Sequence, residues 1–576
     1  MKKIILSIST FLLFVPIFCA VAFGSENDTV RVGLYFSGSG TNGALVSANL
    51  ENYKDTGSGY YFGYYDGNRD FVMLGTTSET TISMSQDINL TVNSDGTYSA
   101  GVTEGAAMIG CFHLQMDRTY ESYELAAAAA AGLKGVYGTA FPVYDNGVFA
   151  VRAGSYTSRA EAESALTEYR ASATVNSGTA YTVTVTKTGT TEILFEYDGG
   201  GSTFLAVEPR PVGTVKPQTW FKGYRYYGGF EYDRSSTLSD GKINVINVVN
   251  MEDYAKSVIT YEMSPSWPAE ALKAQAICAR TYALYQHKHD ARNFDVCATT
   301  NCQVYRGVSA AKDTSDAAVD ATAGLALYYG GKVIEADYYS SNGGASENSE
   351  NVWTTALPYL RGKADPYEAT ISIPSYSYEK TYTAEELTSL LQKKGYTIGT
   401  VASVQASYTD LGNIFSITFT DTAGKSVTVK KEACKLLFSV ASMRFTISGE
   451  GTSSVVPPAE SNTAGEYYVN GQGSKVTGLK GLFTISGNGV VSQYEGESAY
   501  VLTSGGKSVL GADENGRASQ SGSASVSDNT YVIRGTGSGH NVGMSQYGAN
   551  AMAKQGLTYE DILHFYYTDV TIESIK

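Results

Sequence analysis

The chain has 576 residues and a formal charge of −15, from 42 Lys and Arg against 57 Asp and Glu; a length of that order predicts roughly three or four structural units. Charged residues make up 17%, while 44 Tyr and 61 Gly suit strands and tight turns, so the composition excludes a disordered tail and a collagen. Basic runs stop at pairs such as Lys2-Lys3, Lys393-Lys394 and Lys430-Lys431, which excludes the phosphate-neutralising stripe of a nucleic-acid binder.

Lys2-Lys3, the apolar stretch Ile4 to Phe18 broken by Pro16, and the small residues Ala20-Val21-Ala22 read as a secretory signal. The same stretch, residues 1–24, is nearly long enough to remain as an N-terminal anchor. Later segments fall short of a membrane span. Membrane attachment is therefore expected only through an uncleaved leader, and the protein is expected outside the cell, at the wall or the outer face of the cytoplasmic membrane. Six cysteines, with Cys19 in the leader, are too few for a disulfide scaffold.

From Thr29 to about Ser99, short alternating runs (Val30 to Tyr35, Tyr60 to Tyr65, Phe71 to Leu74, Ile88 to Val92) separated by Gly and Asp-Gly turns predict strands. Between Gly105 and Lys187 a strand-helix pattern is written twice. Met108 to Leu114 precedes a helical Tyr123 to Leu133, and Val148 to Ala153 precedes a helical Arg159 to Tyr169, with further strands at Phe141 to Tyr144 and Tyr181 to Val185. This predicts a self-closing α+β unit. Strands resume from Thr190 to Asn250. Two helices come next: one opened by Asn250 and Asp253 and ending near Met263, and an Ala-rich one from Ala269, with Pro265 and Pro268 between them. Residues 449–466 are composed like a linker, strands return from Tyr467 to Ile533, and Ala549 to Tyr566 closes the chain with short helices. The fold class is α+β.

Three signatures fail on spacing. Gly505-Gly-Lys-Ser508 has Val501 where a phosphate loop needs its first glycine, Gly543 to Tyr547 lacks the closing glycine of a nucleophile elbow, and Gly535 to Gly539 breaks the dinucleotide pattern at His540. Glu262, at a helix end beside Tyr261 and a Pro-containing turn, stands where a carboxylate can project into a cleft as a general acid. The nearby acids Glu252, Asp253 and Glu270 fall in opening helical turns, where the helix dipole favours carboxylates. His289, Cys297 and Cys302, with His287 as an alternative to His289, suit a structural zinc; in an exported protein the two cysteines equally suit a disulfide. His540 stands in a glycine-flanked turn, able to bond a sugar or orient Glu262.

The stretches Tyr261-Glu-Met-Ser-Pro265, Pro268 to Ala276, Ala279-Arg-Thr-Tyr-Ala283, Cys302 to Gly307, Tyr339-Ser-Ser-Asn-Gly-Gly344, Glu347 to Trp353, Pro358-Tyr-Leu-Arg361 and Gly539 to Gly548 resemble the sporulation stage II protein D, or amidase-enhancer, family. The resemblance covers about Ile243 to Tyr567. It implies an exported peptidoglycan lytic transglycosylase that cuts the MurNAc-GlcNAc bonds of peptide-stripped glycan strands and leaves anhydro-MurNAc ends. Glu262 would be the one acid and base, because the sugar's own hydroxyl is the nucleophile. It further implies sugar contacts at Gln275, Arg280, Tyr282, Ser340, Ser341, Gly343, Gly344, His540, Gly543, Met544, Ser545 and Gln546, and a zinc near His289, Cys297 and Cys302. The alternative within the same family is a non-catalytic glycan binder that enhances a cell-wall amidase. Cys278 stands where a small Ala or Val is usual, and Asn541 where glycine is usual. Phe149 to Leu166 resembles the SPOR domain, a ferredoxin-like peptidoglycan-binding module. The expected organisation is a leader (1–24), a β-rich first part (25–104), an inserted SPOR-like domain (105–187), a core (188–448), a linker (449–466) and a closing part (467–576).

Overall fold

The computed structural model describes residues 28–37, 44, 46–234, 241–449 and 530–575, with short backbone strands between 466 and 510. The expected leader and residues 450–465 of the expected linker lie outside the described residues. The fold is mixed α+β, with several sheets. No described helix is long and apolar enough to cross a membrane. Two compact units divide the chain: residues 1–337 with 553–563 and 569–576, and residues 338–552 with 564–568.

In the first unit a seven-stranded sheet runs in the order Val296–Cys297, Thr29–Tyr35, Asn244–Asn250, Gly229–Asp233, Leu205–Pro211, Gly57–Tyr65, Phe71–Thr77. Alternation in Thr29–Tyr35 sends Val30, Val32 and Leu34 into the core. The two-residue edge strand pairs in parallel and sets Cys297 opposite Gly33. Glycine is required there: a Cβ on Gly33 would lie 2.5 Å from the Phe294 ring.

The predicted strand-helix repeat is present as Phe112–Met116, α1 (Tyr123–Tyr137), Ala140–Asp145, Val148–Tyr156, α2 (Arg159–Tyr169) and Ala173–Asn176. Ser158 and Glu161 close a capping box on α2. The unit does not close on itself. Five of its strands are part of a ten-stranded sheet, in which Ile193–Asp198, from outside the unit, is inserted between Ala140–Asp145, with which it pairs in parallel, and the unit's own Val183–Lys187, and the sheet continues through Thr81–Gln86 and Ser47–Asn52. Ala126 and Ala130 of α1 likewise join the core that contains Val30, Tyr60 and Phe62. An edge strand leaves backbone groups unpaired, and here strands from outside 105–187 take them up.

α3 (Met251–Glu262) starts at the Asn250 cap and ends where Met263 becomes extended before Pro265. α4 (Ala269–Tyr285) is buried along nearly its whole length, and its alanines let it pack closely in the core with α3.

The second unit holds two three-stranded sheets. Ser377–Thr383, Thr530–Thr536 and Phe445–Gly449 form one, and Val401–Tyr408, Ile414–Asp421 and Ser426–Lys430 the other. Leu387, Leu391, Ile417, Phe419, Phe438, Met443 and Ile533 form its core. Tyr338–Tyr339 pairs in parallel with Met544–Ser545 and brings two of the family-like motifs side by side.

Candidate functional site

In the first unit Glu262 is the last residue of α3, and its half-buried carboxylate accepts a hydrogen bond from the Val304 N–H at 3.1 Å. That loop is held at both ends of Val304. Gln303 accepts from the Tyr254 hydroxyl, and the Tyr305 hydroxyl donates to Asn247. Next in sequence, the Arg306 guanidinium lies 5.8 Å from the ring centres of both Tyr224 and Tyr261. Arg225 lies over Tyr53 at 4.9 Å, and Tyr53 stacks on Trp220, which is 39% exposed. Burial, then the neighbouring Tyr224, raise the Tyr261 phenol, while Arg306 and Arg225 oppose them. Trp220 and Arg225 pair across neighbouring strands and share one side of them, opposite to Tyr224, so these are two groups of rings and guanidiniums. Neither was picked out from sequence, where the high Tyr count was the one signal.

The neighbouring acids are tied into ion pairs. Asp253 meets Lys216, Glu270 meets Lys273 at 2.7 Å, and Glu252 meets Arg280. Arg280, expected as a sugar contact, is 0% exposed. Its guanidinium bonds Glu252, Thr322 and the Val319 carbonyl, so it joins α3 and α4 to the end of α5 (Asp313–Asp320). Gln275 is also fully buried, with neither amide atom bonded among the described residues. Tyr282 is buried and accepts from Lys288 at 2.9 Å; burial, followed by Cys302, raises its phenol.

His289, Cys297 and Cys302 do converge. Their ligand atoms lie within 4.8 Å of one another, with His289 Nε2 at 3.2 Å from Cys302 Sγ, and both thiols are free. Hydrogen bonding within the pair holds the Cys297 thiol down and the Cys302 thiol up. The His289 ring stacks on Phe294 at 4.8 Å, so the Gly33 contact helps to place the cluster. His287 is exposed and pairs with Asp290, which leaves His289 as the cluster member. One imidazole and two thiolates match a tetrahedral zinc set, and the buried His289 Nδ1 has no described partner.

In the second unit the Ser-Gly run turns inward around a carboxylate that sequence reading overlooked. Glu368, 1% exposed, accepts from Ser341 Oγ at 2.8 Å, the Asn342 N–H at 2.7 Å, the Gly343 N–H at 3.1 Å and the Ser545 hydroxyl. Burial pushes its carboxyl up, and those hydrogen bonds oppose the shift. Gly343 has φ +71°, and a Cβ there would meet the Thr536 carbonyl at 2.5 Å. Gly543, Met544, Ser545 and Gln546 are buried, whereas Ser340 and Gly344 keep partial exposure. Asn541, at φ 66°, donates to the carbonyls of Asn342 and Ala345. A cleft of about 610 Å³ in this unit is lined by Tyr378, Arg444, Phe445 and Arg534.

The His540 ring packs between Tyr339 and Trp353. Nε2 lies 3.1 Å from the Tyr338 carbonyl and Nδ1 accepts from the Val542 N–H, so both ring nitrogens have partners within the chain. The ring is thus held by packing and by these two backbone groups. Burial, with Lys435 adding to it, pushes the imidazole down to about 4 from 6.5. The folded value lies below the unfolded one, so the stabilisation is complete above pH 6.5 and is lost as the pH falls toward 4. The loss amounts to at most about 3 kcal/mol. Urea unfolding of the wild type and His540→Gln at pH 7 and pH 4 checks this: the difference between the two chains is expected to shrink by about that amount in acid, and an unchanged difference refutes it.

A family model described as "Stage II sporulation protein" matches residues 239–329. An uncharacterised protein of Brachyspira hyodysenteriae is 32% identical over 378 residues, covering 64% of this chain and 80% of that protein. The amidase enhancer of Bacillus subtilis is 33% identical over 327 residues, covering 55% of this chain, which spans 40% of that relative's length. Stage II sporulation protein D of Bacillus subtilis is 26% identical over 343 residues, covering 56% and 74%. The expected lytic transglycosylase is corrected by these findings: the 33%-identical relative is named for enhancing an amidase, not for cleaving glycan.

Proposed function

The chain belongs to the stage II sporulation protein D and amidase-enhancer family, and on that premise we propose that it is a non-catalytic, glycan-binding enhancer of a cell-wall amidase in peptidoglycan remodelling during sporulation. The observation that carries this reading is the stack of Trp220 on Tyr53 with Arg225 over it, with Arg306 against Tyr224 and Tyr261 as a second group of the same chemistry. Sugar rings pack their C–H faces on aromatic side chains, and guanidiniums bond their hydroxyls. Glu262 is a positioning residue in this reading: its bond to Val304 holds the loop that presents Arg306. The protein works outside the cytoplasmic membrane, and its partners are glycan strands and the amidase.

A second glycan contact lies on the SPOR-like stretch 105–187. Its strand order Ala173–Asn176, Phe112–Met116, Val148–Tyr156, Ala140–Asp145 supports this, as does a cleft of about 530 Å³ lined by Tyr137, Tyr156 and Tyr169. Pull-down on peptide-stripped sacculi tests both surfaces. Trp220→Ala and Tyr169→Ala are each expected to weaken binding roughly 3- to 10-fold, the worth of one stacked aromatic. Glu262→Gln keeps an acceptor for Val304 and is expected to stimulate the amidase like the wild type. A Glu262→Gln chain that binds glycan normally but no longer stimulates would refute the non-catalytic reading.

His289, Cys297 and Cys302 hold a structural zinc in this proposal, supported by the free thiols and by the donor set. Elemental analysis is expected to find zinc in the wild type and to find it lost in Cys302→Ser. Absence of both zinc and free thiols at this pair would establish a disulfide instead.

A further inference from the structure

A second cluster, remote in sequence from the first, carries its own assignment. His113 comes from the strand Phe112–Met116, Glu196 from Ile193–Asp198, and Asp87 directly follows Thr81–Gln86. These strands are not neighbours in the ten-stranded sheet. Their ligand atoms nevertheless lie within 4.8 Å of one another. His113 Nε2 is 3.5 Å from Glu196 Oε1 and 4.0 Å from Asp87 Oδ1, and the side chains of His113, Asp87 and Glu196 are 0%, 3% and 0% exposed.

The tautomer is set by the other ring nitrogen. His113 Nδ1 lies 2.7 Å from the Gly154 carbonyl, an acceptor only, so Nδ1 carries the hydrogen. Nε2 then presents a lone pair to two carboxylates. Both Nε2 and Asp87 Oδ2 are buried without a hydrogen-bond partner among the described residues. Buried polar atoms in folded proteins are nearly always partnered, and electron-rich atoms pointed at one another are the inverse of a satisfied core. Burial pushes His113 toward its neutral form, and burial together with Glu196 raises the Asp87 carboxyl.

The surroundings resemble the support that metal ligands receive. A ligating histidine commonly donates its second N–H to a carbonyl, and ligating carboxylates are themselves hydrogen-bonded. Glu196 takes Arg152 at 2.6 Å on Oε2 and Thr184 at 3.2 Å on Oε1. Arg152 and Arg234 are the cations that face this group of acids, Asp87, Glu196 and Asp198.

We propose that Asp87, His113 and Glu196 bind a divalent first-row metal ion through one imidazole nitrogen and two carboxylate oxygens, a donor set that zinc accepts. The ion is structural. It clips the strand Phe112–Met116 to residues that precede and follow the 105–187 stretch, closing chain loops whose entropy otherwise opposes folding.

The test uses the full chain carrying Cys297→Ser and Cys302→Ser, which removes the thiolate site, stripped of metal and titrated with zinc. One equivalent of zinc and a rise in thermal midpoint are expected. Adding Asp87→Asn, which keeps the side-chain shape, is expected to weaken zinc binding at least tenfold and to abolish the rise. Should the cysteine variant fail to fold, wild-type protein titrated with Mn²⁺, which the thiolates disfavour, is read by electron paramagnetic resonance and is expected to bind one equivalent. No bound zinc in the folded cysteine variant, or unchanged binding in Asp87→Asn, overturns the proposal and leaves a proton shared within the cluster.

Discussion

Glu368→Ala is expected to destabilise the protein by about 3–5 kcal/mol, a figure assembled from the donors it would strand. The carboxylate is buried and accepts from two backbone N–H groups, those of Asn342 and Gly343, and from the hydroxyls of Ser341 and Ser545. Alanine leaves those donors in a protein interior without an acceptor, at about 1–3 kcal/mol for each that water cannot reach. Water entering the vacated volume recovers part of the loss, which is why the total stays below the plain sum. Glu368→Gln should fall between, because its amide offers one oxygen and turns an NH₂ toward donors. Thermal unfolding monitored by circular dichroism, with proteolysis of the 340–345 loop as a local readout, checks this. A Glu368→Ala chain with the stability and protease resistance of the wild type would show that the Ser-Gly loop is held by other contacts.

Arg280→Met should lose a comparable amount, about 3–5 kcal/mol, by leaving its partner unpaired. Arg280 is fully buried and bonds Glu252, whose side chain is 27% exposed and which also accepts from the Gly324 N–H at 2.9 Å. Breaking one half of such a pair is costly, whereas replacing both halves is often close to neutral. Arg280→Met/Glu252→Leu is therefore expected to be more stable than Arg280→Met alone, as measured by urea unfolding. A double variant no more stable than the single one would show that Arg280 contributes through packing and its bonds to Thr322 and Val319 alone.

These two residues also mark where sequence reading stops. The helices around Glu262 were legible because their signals are local: the Asn250 cap, Pro265 and Pro268, and an alanine-rich run end up as α3 and α4 within a residue or two of expectation. The His-Cys-Cys cluster was legible for the same reason, its members lying within one short stretch. Glu368 was not, since a carboxylate that accepts from a loop elsewhere in the chain leaves no periodicity. Arg280 and Gln275 belong to a family-like motif, yet a motif does not say whether its residues face a ligand or the core. The face around Trp220 and the Asp87, His113 and Glu196 cluster depend on strand pairings that no local window contains.

The parallel pairing of Ala140–Asp145 with Ile193–Asp198 has a consequence for the order in which the protein can be made. The later strand is synthesised after both helices of the strand-helix repeat, so the earlier one, carrying the apolar Phe141 and Val143, waits with an open edge until its neighbour emerges. A chain released too early, or cut near residue 187, keeps that edge and presents it to other copies of itself. The stretch that reads in sequence as a portable module is thus left with an unpaired edge, open to self-association, when separated from the strand at 193–198.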